Sequence, residues 1–379
     1  MTLSQKNLRI LVVDDSIVFR MMISDVIGNI PGMEVVGTAR DGHSALARVT
    51  SLKPDLMTLD IEMPGMDGME VLTRLKSQSP RVGVIMLSSD AGRGGRRIIT
   101  SLEAGAFDFV LKPSEKNVTE NKRKLEKDLA PLLRSFSRRM EIRSILNSHR
   151  TDVSLDRSVL PPITETKTPD PIVPAFTADF PRNSSDVVAI GVSTGGPAAL
   201  ARLIPALPGN LTVPILIVQH MPPGFTRALA ESLDRQSKVP VVEAQDGDIL
   251  VPGKVFIAPG GSHMKIVSAG NRTKQMIRIT QDPPENGCRP SADYLFRSVA
   301  HHFKDRATGV IMTGMGQDGD KGLALMKEHR AVIIAQDEAT SIVFGMAKQP
   351  VASGIVDIVA PLDNLAREIM KTVRPTFGM

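Results

Sequence analysis

Short apolar runs separated by amphipathic stretches constrain this chain more than any other feature. Between residues 8 and 112 the runs LRILVV, MEVVGTA, DLMTLD, VGVIML and AFDFVL are rich in Val, Ile and Leu without strict alternation. Strands covered on both faces read this way, because neither face has to be polar. The segments between them, SIVFRMMISDVIGNI, GHSALARVTSLK, GMEVLTRLKSQS and GRRIITSLEAG, read as helices. Five strand-then-helix repeats predict a parallel sheet with right-handed crossovers. From Asp186 the alternation resumes, with VVAIGV, PILIVQ, KVFIAP, GVIMTG, AVIIAQ and IVDIVA as strands. GPAALARLIPAL, TRALAESL, SADYLFRSVAHHF, GLALMKEH and DNLAREIMKTV are the helices there. HMKIVSAG and KQMIRITQD, joined through Asn271, read as an inserted β-hairpin. The predicted fold class is α/β: an N-terminal (βα)5 domain, then a doubly wound, mainly parallel α/β domain carrying the hairpin.

Residues 114–150 read as a charged helix. From Thr151 to Asn183 the periodicity disappears into Pro- and Thr-rich sequence, a flexible linker with polyproline II character. The expected division is a first domain over 8–125, a helical extension and linker over 126–182, and a second domain over 183–379. A length of 379 residues agrees with two or three domains at ~150 residues each. The single cysteine, Cys288, excludes an internal disulfide framework and fits a reducing compartment. No apolar run approaches the ~20 residues of a membrane span, and the start MTLSQKNLRI has no apolar signal core. A soluble cytoplasmic protein without membrane insertion is expected. Between Lys112 and Arg150, eleven Lys/Arg stand against five Asp/Glu, a surplus larger than the net charge of +5 for the whole chain. The rest is near neutral, and basic residues interleaved with acids on one helix form a solvated face. With 3% aromatic residues and no Trp there are few stacking platforms, so no direct nucleic-acid binding is expected.

In open parallel sheets, sites form beyond the carboxyl ends of the strands. Asp14 and Asp15 follow the first strand, Asp60 ends the third, Ser88 lies at the end of the fourth, and Lys112 closes the fifth before Pro113. Carboxylates gathered at one edge repel unless a hard cation neutralises them, and Mg²⁺ suits a few carboxylates plus water. Asp14, Asp15 and Asp60 would hold Mg²⁺, Asp60 would accept a phosphoryl group, Lys112 would neutralise it, and Ser88 would hydrogen-bond it. Each Asp alone reads equally as a turn former or helix cap. Together, and with DIEMPGMDG after Asp60, this region resembles the receiver domain of bacterial two-component response regulators. Phe109 stands where many receivers carry a switch aromatic, and its rotamer would report the phosphorylated state, without a hydroxyl.

In the second half, VVAIGVSTGGPAAL runs from a strand through a glycine turn into a helix, and Gly191–Gly195 fits G-x-S-x-G around Ser193. Such a turn presents a serine oxygen, and the helix N-terminus behind it favours a developing oxyanion. A phosphate loop is the competing use, but GVSTGG fails G-x-G-x-x-G and lacks the P-loop lysine. His220 ends the next strand, where it could take the Ser193 proton as general base. Asp318, after GVIMTG, could orient His220 and stabilise its imidazolium. The bland readings are a strand-capping histidine and a helix N-cap. His263, after the Gly-rich PGGSH loop, is a candidate to line the cleft, His301 and His302 close a helix, and His329 is a further candidate. No His/Cys/Glu spacing suggests zinc, and Cys288, with no histidine obviously beside it, reads as structural.

The motifs GVSTGGP, VQHMPPGF, APGGSHM, CRPSADYLFRSVA and TGMGQDG, spread over 186–375, resemble the catalytic domain of chemotaxis protein-glutamate methylesterases (CheB). The resemblance implies hydrolysis of glutamate methyl esters on methyl-accepting chemoreceptors with release of methanol, often with deamidation of receptor glutamines. It implies Ser193 as nucleophile, His220 as base, Asp318 as its orienting acid, and Thr194 and the backbone at Met315 beside the reacting centre. It also implies a chemotaxis histidine kinase as phosphodonor, Mg²⁺ at the receiver only, no cofactor for the esterase, and recruitment to membrane-embedded receptor arrays. One departure is Ala347 in FGMAKQP, where the family commonly has Pro. The unphosphorylated receiver is expected to pack over the Ser193 cleft. Two rivals remain open: a receiver with a DNA-binding output domain, disfavoured by six strand candidates in the second half, and a switched scaffold with a vestigial triad.

Overall fold

A computed structural model of the chain describes residues 7–89, 95–115, 117–151, 185–270 and 274–374, with backbone alone over 142–151. All but the first residue of the expected linker from Thr151 to Asn183, and Asn271 of the hairpin turn, lie outside the described residues. The N-terminal half runs β1 (Leu8–Val13), α1 (Ile17–Gly28), β2 (Met33–Ala39), α2 (Gly42–Leu52) and β3 (Leu56–Asp60). It continues through α3 (Gly68–Gln78), β4 (Gly83–Ser88), α4 (Gly95–Glu103), β5 (Asp108–Leu111) and α5 (Val118–Thr151). The five strands are parallel in the order β2-β1-β3-β4-β5. Helix starts follow local chemistry, since the side chains of Ser16, Asp41 and Asp67 each accept a hydrogen bond from the backbone N–H three residues on.

The expected division at residue 125 falls inside α5. Leu125, Leu129, Leu133 and Phe136 of that helix are buried against Ile10, Ile85 and Val110 of the first sheet. Phe136 meets Phe107 edge-on at 5.2 Å, and it lies so close to β4 that a Cβ on Gly83 would come within 2.3 Å of its ring.

The C-terminal half opens with β6 (Val187–Val192), α6 (Gly196–Leu203), β7 (Ile215–Gln219), α7 (Phe225–Gln236), β8 (Val241–Glu243) and β9 (Val255–Ile257). The antiparallel hairpin β10 (His263–Ser268) and β11 (Gln275–Thr280) follows as a separate two-stranded sheet. Then come α8 (Ala292–Phe303), β12 (Ala307–Ile311), α9 (Asp320–Glu328), β13 (Val332–Gln336), α10 (Lys348–Ala352), β14 (Ile358–Ala360) and α11 (Leu362–Thr372). Seven parallel strands form one sheet, β14-β13-β12-β6-β7-β9-β8. From β6 the chain builds outward to β7, β9 and β8 on one side, and returns through β12 to extend the other. The switch point, where an open α/β sheet leaves a crevice, is therefore at the carboxyl ends of β6 and β12.

The two halves share apolar surface. Ile98, Ile99 and Leu102 of α4 are buried in the same cluster as Leu200 of α6 and Phe225 and Leu229 of α7. The start of α4 lies close to α7, where a Cβ on Gly95 would stand in ordinary contact, 3.4 Å from that of Ala228. Because Phe136 completes the N-terminal core, Phe136→Ala is expected to destabilise that half by about 3–5 kcal/mol. A denaturation midpoint equal to wild type would show that α5 beyond residue 125 is not part of this core.

Candidate active site

The turn after β6 is pinned from both sides. Val192 pairs in register with Gln219 of β7, and His220 N–H donates to Val192 O at 3.1 Å. Ser193 and His220 are thus the next residues beyond two adjacent strand ends. Ser193 N–H donates to Thr313 O at 3.0 Å, and its carbonyl accepts from Gln219 Nε2 at 2.9 Å. Gly195 sits at φ +76°, a left-handed conformation, and a Cβ on it would lie 2.5 Å from that of Ile342. A Cβ on Gly314 would lie 2.7 Å from that of Ser193. Both glycines let neighbouring loops close on the serine.

His220 Nε2 and Asp318 Oδ2 are 2.8 Å apart. The Asp318 carboxylate is only 2% exposed, and four further donors hold it. Oδ1 accepts from Ser291 Oγ at 2.7 Å, Asn286 Nδ2 at 2.9 Å and Asp293 N at 3.3 Å, and Oδ2 from Ala292 N at 2.6 Å. The last two are backbone groups at the start of α8, where orphan N–H groups suit an anion. Burial works against the ionised carboxyl, yet the hydrogen bonds and charge of His220 and the donors Ser291 and Asn286 leave it at about 2. Burial likewise opposes the imidazolium of His220, and Asp318 and then Cys288 overcome it, raising the ring to about 9. Asp320, desolvated beside Asp293 and Asp318, is pushed up to about 6. Of these acids, Asp318 is the one whose carboxyl is held below the usual range.

Because Nε2 donates to Asp318, Nδ1 is the nitrogen left to accept a proton, and it faces Cys288 Sγ at 3.8 Å. The Ser193 hydroxyl makes no hydrogen bond to Nδ1 here. The strand ends thus bring Ser193 and His220 together without joining their side chains. Catalytic hydrogen bonds often tighten only when substrate binds. The Thr194 and Met315 N–H groups donate to no backbone carbonyl among the described residues. Cys288, expected as structural, lies instead against the imidazole.

At the other sheet, carboxylate oxygens of Asp14, Asp15 and Asp60 lie within 4.8 Å of one another. Lys112 Nζ is 2.7 Å from both Asp14 Oδ2 and Asp60 Oδ2. Asp14 Oδ2 is buried, and the Lys112 ammonium is the group that faces it. Burial raises Asp14 and pushes Asp60 up to about 6, with Lys112 opposing and Asp14 reinforcing the shift. A hard divalent cation fits this all-oxygen cluster. Ser88 is buried at the end of β4.

Phe109 of β5 packs on Phe225, the first residue of α7, with ring centroids 5.0 Å apart. The carboxyl of Asp108, pushed up to about 6 by burial, faces Thr194. Met315 and Ile342 pack on the apolar cluster of the N-terminal half. Glu103 Oε1 accepts from Ser232 Oγ at 2.7 Å and Gln236 Nε2 at 3.2 Å, and Arg96 pairs with Glu231 at 3.1 Å. The N-terminal domain therefore sits against the loops that flank Ser193.

His263 is fully buried, stacked on Tyr294 at 4.4 Å and hydrogen-bonded to Pro283 O at 3.0 Å, so it packs in the core. His301 and His302 occupy the last turn of α8, and His329 follows α9. The residues unforeseen at the site are Asn286, Ser291, Asp293 and Cys288. Ser291 and Asp293 were readable as a helix start; the carboxylate they hold was not. In a histidine-selective NMR titration, His220 is expected to keep its proton up to about pH 9. Asp318→Asn removes the counter-charge, so the midpoint should move to lower pH; an unchanged midpoint would contradict the pairing.

The CheB methylesterase family model matches residues 188–369, and the response regulator receiver domain model matches residues 10–122. A protein-glutamate methylesterase/protein-glutamine glutaminase of Desulfotalea psychrophila is 47% identical over 373 residues, covering 97% of this chain and 99% of that protein. One of the same description from Pyrococcus abyssi is 40% identical, covering 100% of this chain and 97% of that protein. The crystal structure of the Thermotoga maritima CheB methylesterase catalytic domain is 40% identical over 50% of this chain and 100% of that one, with a TM-score of 0.49. The chain belongs to the CheB family of protein-glutamate methylesterases.

Proposed function

We propose that this protein hydrolyses glutamyl methyl esters on methyl-accepting chemoreceptors, with Ser193 as nucleophile, His220 as base and Asp318 as its orienting acid. The observation that carries this reading is the 2.8 Å contact between Asp318 and the imidazole of His220, which stands beside Ser193 at adjacent strand ends. Ser193 Oγ attacks the ester carbonyl as His220 Nδ1 takes its proton, and the N–H groups of Thr194 and Met315 receive the oxyanion, each worth ~3 kcal/mol. His220 returns the proton to the departing methanol, and then activates water to free the glutamate from Ser193. A receptor glutamine would follow the same path with ammonia leaving. An imidazolium cannot act as the base, so turnover draws on the neutral fraction of His220. The reaction as written needs no cofactor. Ser193→Ala is expected to lower methanol release from methylated receptor membranes by on the order of 10⁴-fold or more; a variant with wild-type rates would refute Ser193 as nucleophile.

In the receiver, Asp14, Asp15 and Asp60 would hold Mg²⁺, which would neutralise charge on a phosphoryl donor. Asp60 takes the phosphoryl group from a chemotaxis histidine kinase, Lys112 pairs with the new phosphate, and Ser88 donates a hydrogen bond to it. Among the described residues no helix is long and apolar enough to cross a membrane. We place the protein in the cytoplasm, recruited to receptor arrays, with no DNA partner and no membrane insertion. The working division is receiver, helix with linker, and catalytic domain, with the receiver extended through Phe136.

Control follows from the docking surface. Met315, Thr194 and Ile342 lie under the receiver, so the docked form leaves a receptor helix little access to Ser193. Phe109 couples the phosphorylation site to this surface through Phe225. Phosphorylation at Asp60 would shift the docking equilibrium. Glu103→Lys breaks the contacts to Ser232 and Gln236 and is expected to raise the basal, unphosphorylated esterase rate severalfold. An unchanged basal rate would mean that docking is not the restraint.

A further inference from the structure

We infer that His220 and Cys288 form a site for a borderline-soft divalent cation, Zn²⁺, whose occupancy withdraws His220 from proton transfer. Ligand atoms of His220, Cys288 and Asp318 lie within 4.8 Å of one another, although their chain positions show no metal-binding spacing. They arrive on separate loops: after β7, before α8 and after β12. Nε2 is engaged by Asp318 at 2.8 Å, and Nδ1 faces Sγ at 3.8 Å. Tetrahedral Zn²⁺, with ordinary Zn–N and Zn–S bonds, holds its nitrogen and sulfur about 3.5 Å apart, so an ion enters between them with a small adjustment.

The surroundings complete the chemistry. An imidazole that ligates a metal through one nitrogen usually donates its other N–H to a carboxylate, which fixes the ring; Asp318 already fills that place. Thiolate and Asp318 carboxylate together balance the two charges of the ion. The His220 side chain is 12% exposed and Cys288 is half-buried, which leaves a path from solvent and open coordination positions for water. The same chain holds an all-oxygen cluster at Asp14, Asp15 and Asp60. Ligand softness sorts the two, Mg²⁺ to the carboxylates and Zn²⁺ to the thiolate and imidazole.

The site stands on this geometry, whereas its effect on catalysis rests on the ester-hydrolase reading. The full-length reduced protein is titrated with Co²⁺ as a spectroscopic substitute for Zn²⁺. A thiolate-to-metal charge-transfer band is expected in the wild type, lost in Cys288→Ser and displaced by Zn²⁺. Asp318→Asn should weaken the metal by about 10–100-fold. In parallel, methanol release is measured with and without Zn²⁺, each variant against its own metal-free rate. Wild type should be inhibited and restored by a chelator, with Cys288→Ser needing at least roughly tenfold more Zn²⁺ for the same inhibition. Absence of the thiolate band, or inhibition of Cys288→Ser at wild-type Zn²⁺ concentrations, would overturn the proposal. A protein that gives the band but releases no methanol under any condition would support the metal site and reject the ester-hydrolase reading.

Discussion

A buried carboxylate with five donors around it organises the catalytic half of this chain. Asp318 is drawn out of water at the end of the loop after β12, where an unpaired charge would be costly. Removing one partner of a buried pair typically costs about 3–5 kcal/mol. Its donors come from His220 beyond β7, from Asn286, from Ser291, and from the first backbone N–H groups of α8. One anion thus ties the start of a helix to the ends of two strands, one on each side of β6. The same contacts fix the ring of His220 and leave its Nδ1 facing Cys288 Sγ.

The sheet order gives that crevice its position. Since β6 lies in the middle and the chain builds outward from it in both directions, the loops after β6 and β12 diverge and leave room for a substrate. Gly195 and Gly314 allow the neighbouring loops to approach to distances a side chain would forbid. The N-terminal domain uses the same principle at its own strand ends, where Asp14, Asp60 and Lys112 form a compact ionic cluster. A short path of packed residues runs between the two sites. Lys112 directly follows the strand that carries Phe109, and Phe109 rests on Phe225, five residues beyond His220.

Much of this was legible in the residues. The strands VVAIGV and MEVVGTA appear as β6 and β2 at the predicted bounds; β6 is buried at every position, whereas β2, at the edge of its sheet, is mostly half-buried. The hairpin appears where alternation and turn residues placed it. Three things were less visible. β8 and α10 are too short to show a period, and β12 begins two residues earlier than its apolar run GVIMTG suggested. The helix α5 carries its core contacts past residue 125 through the apolar stretch LAPLLRSF over 129–136, which the strongly charged composition of the helix as a whole obscures. At the site, spacing along the chain says nothing about Cys288 meeting His220, or about Asn286 and Ser291 gripping Asp318. Those contacts depend on how loops after distant strands fold over one another, and the sequence carries no local signal for them.

The central claim is that a serine hydroxyl at the end of β6 becomes nucleophilic through the imidazole beside it. The most direct measurement is mass-spectrometric mapping of the adduct left by a fluorophosphonate on the full-length protein. The account predicts a phosphonyl group on Ser193, absent when His220 is replaced by Gln. A protein that stays unlabelled, or that carries the adduct on Cys288 with Ser193 untouched, would contradict it.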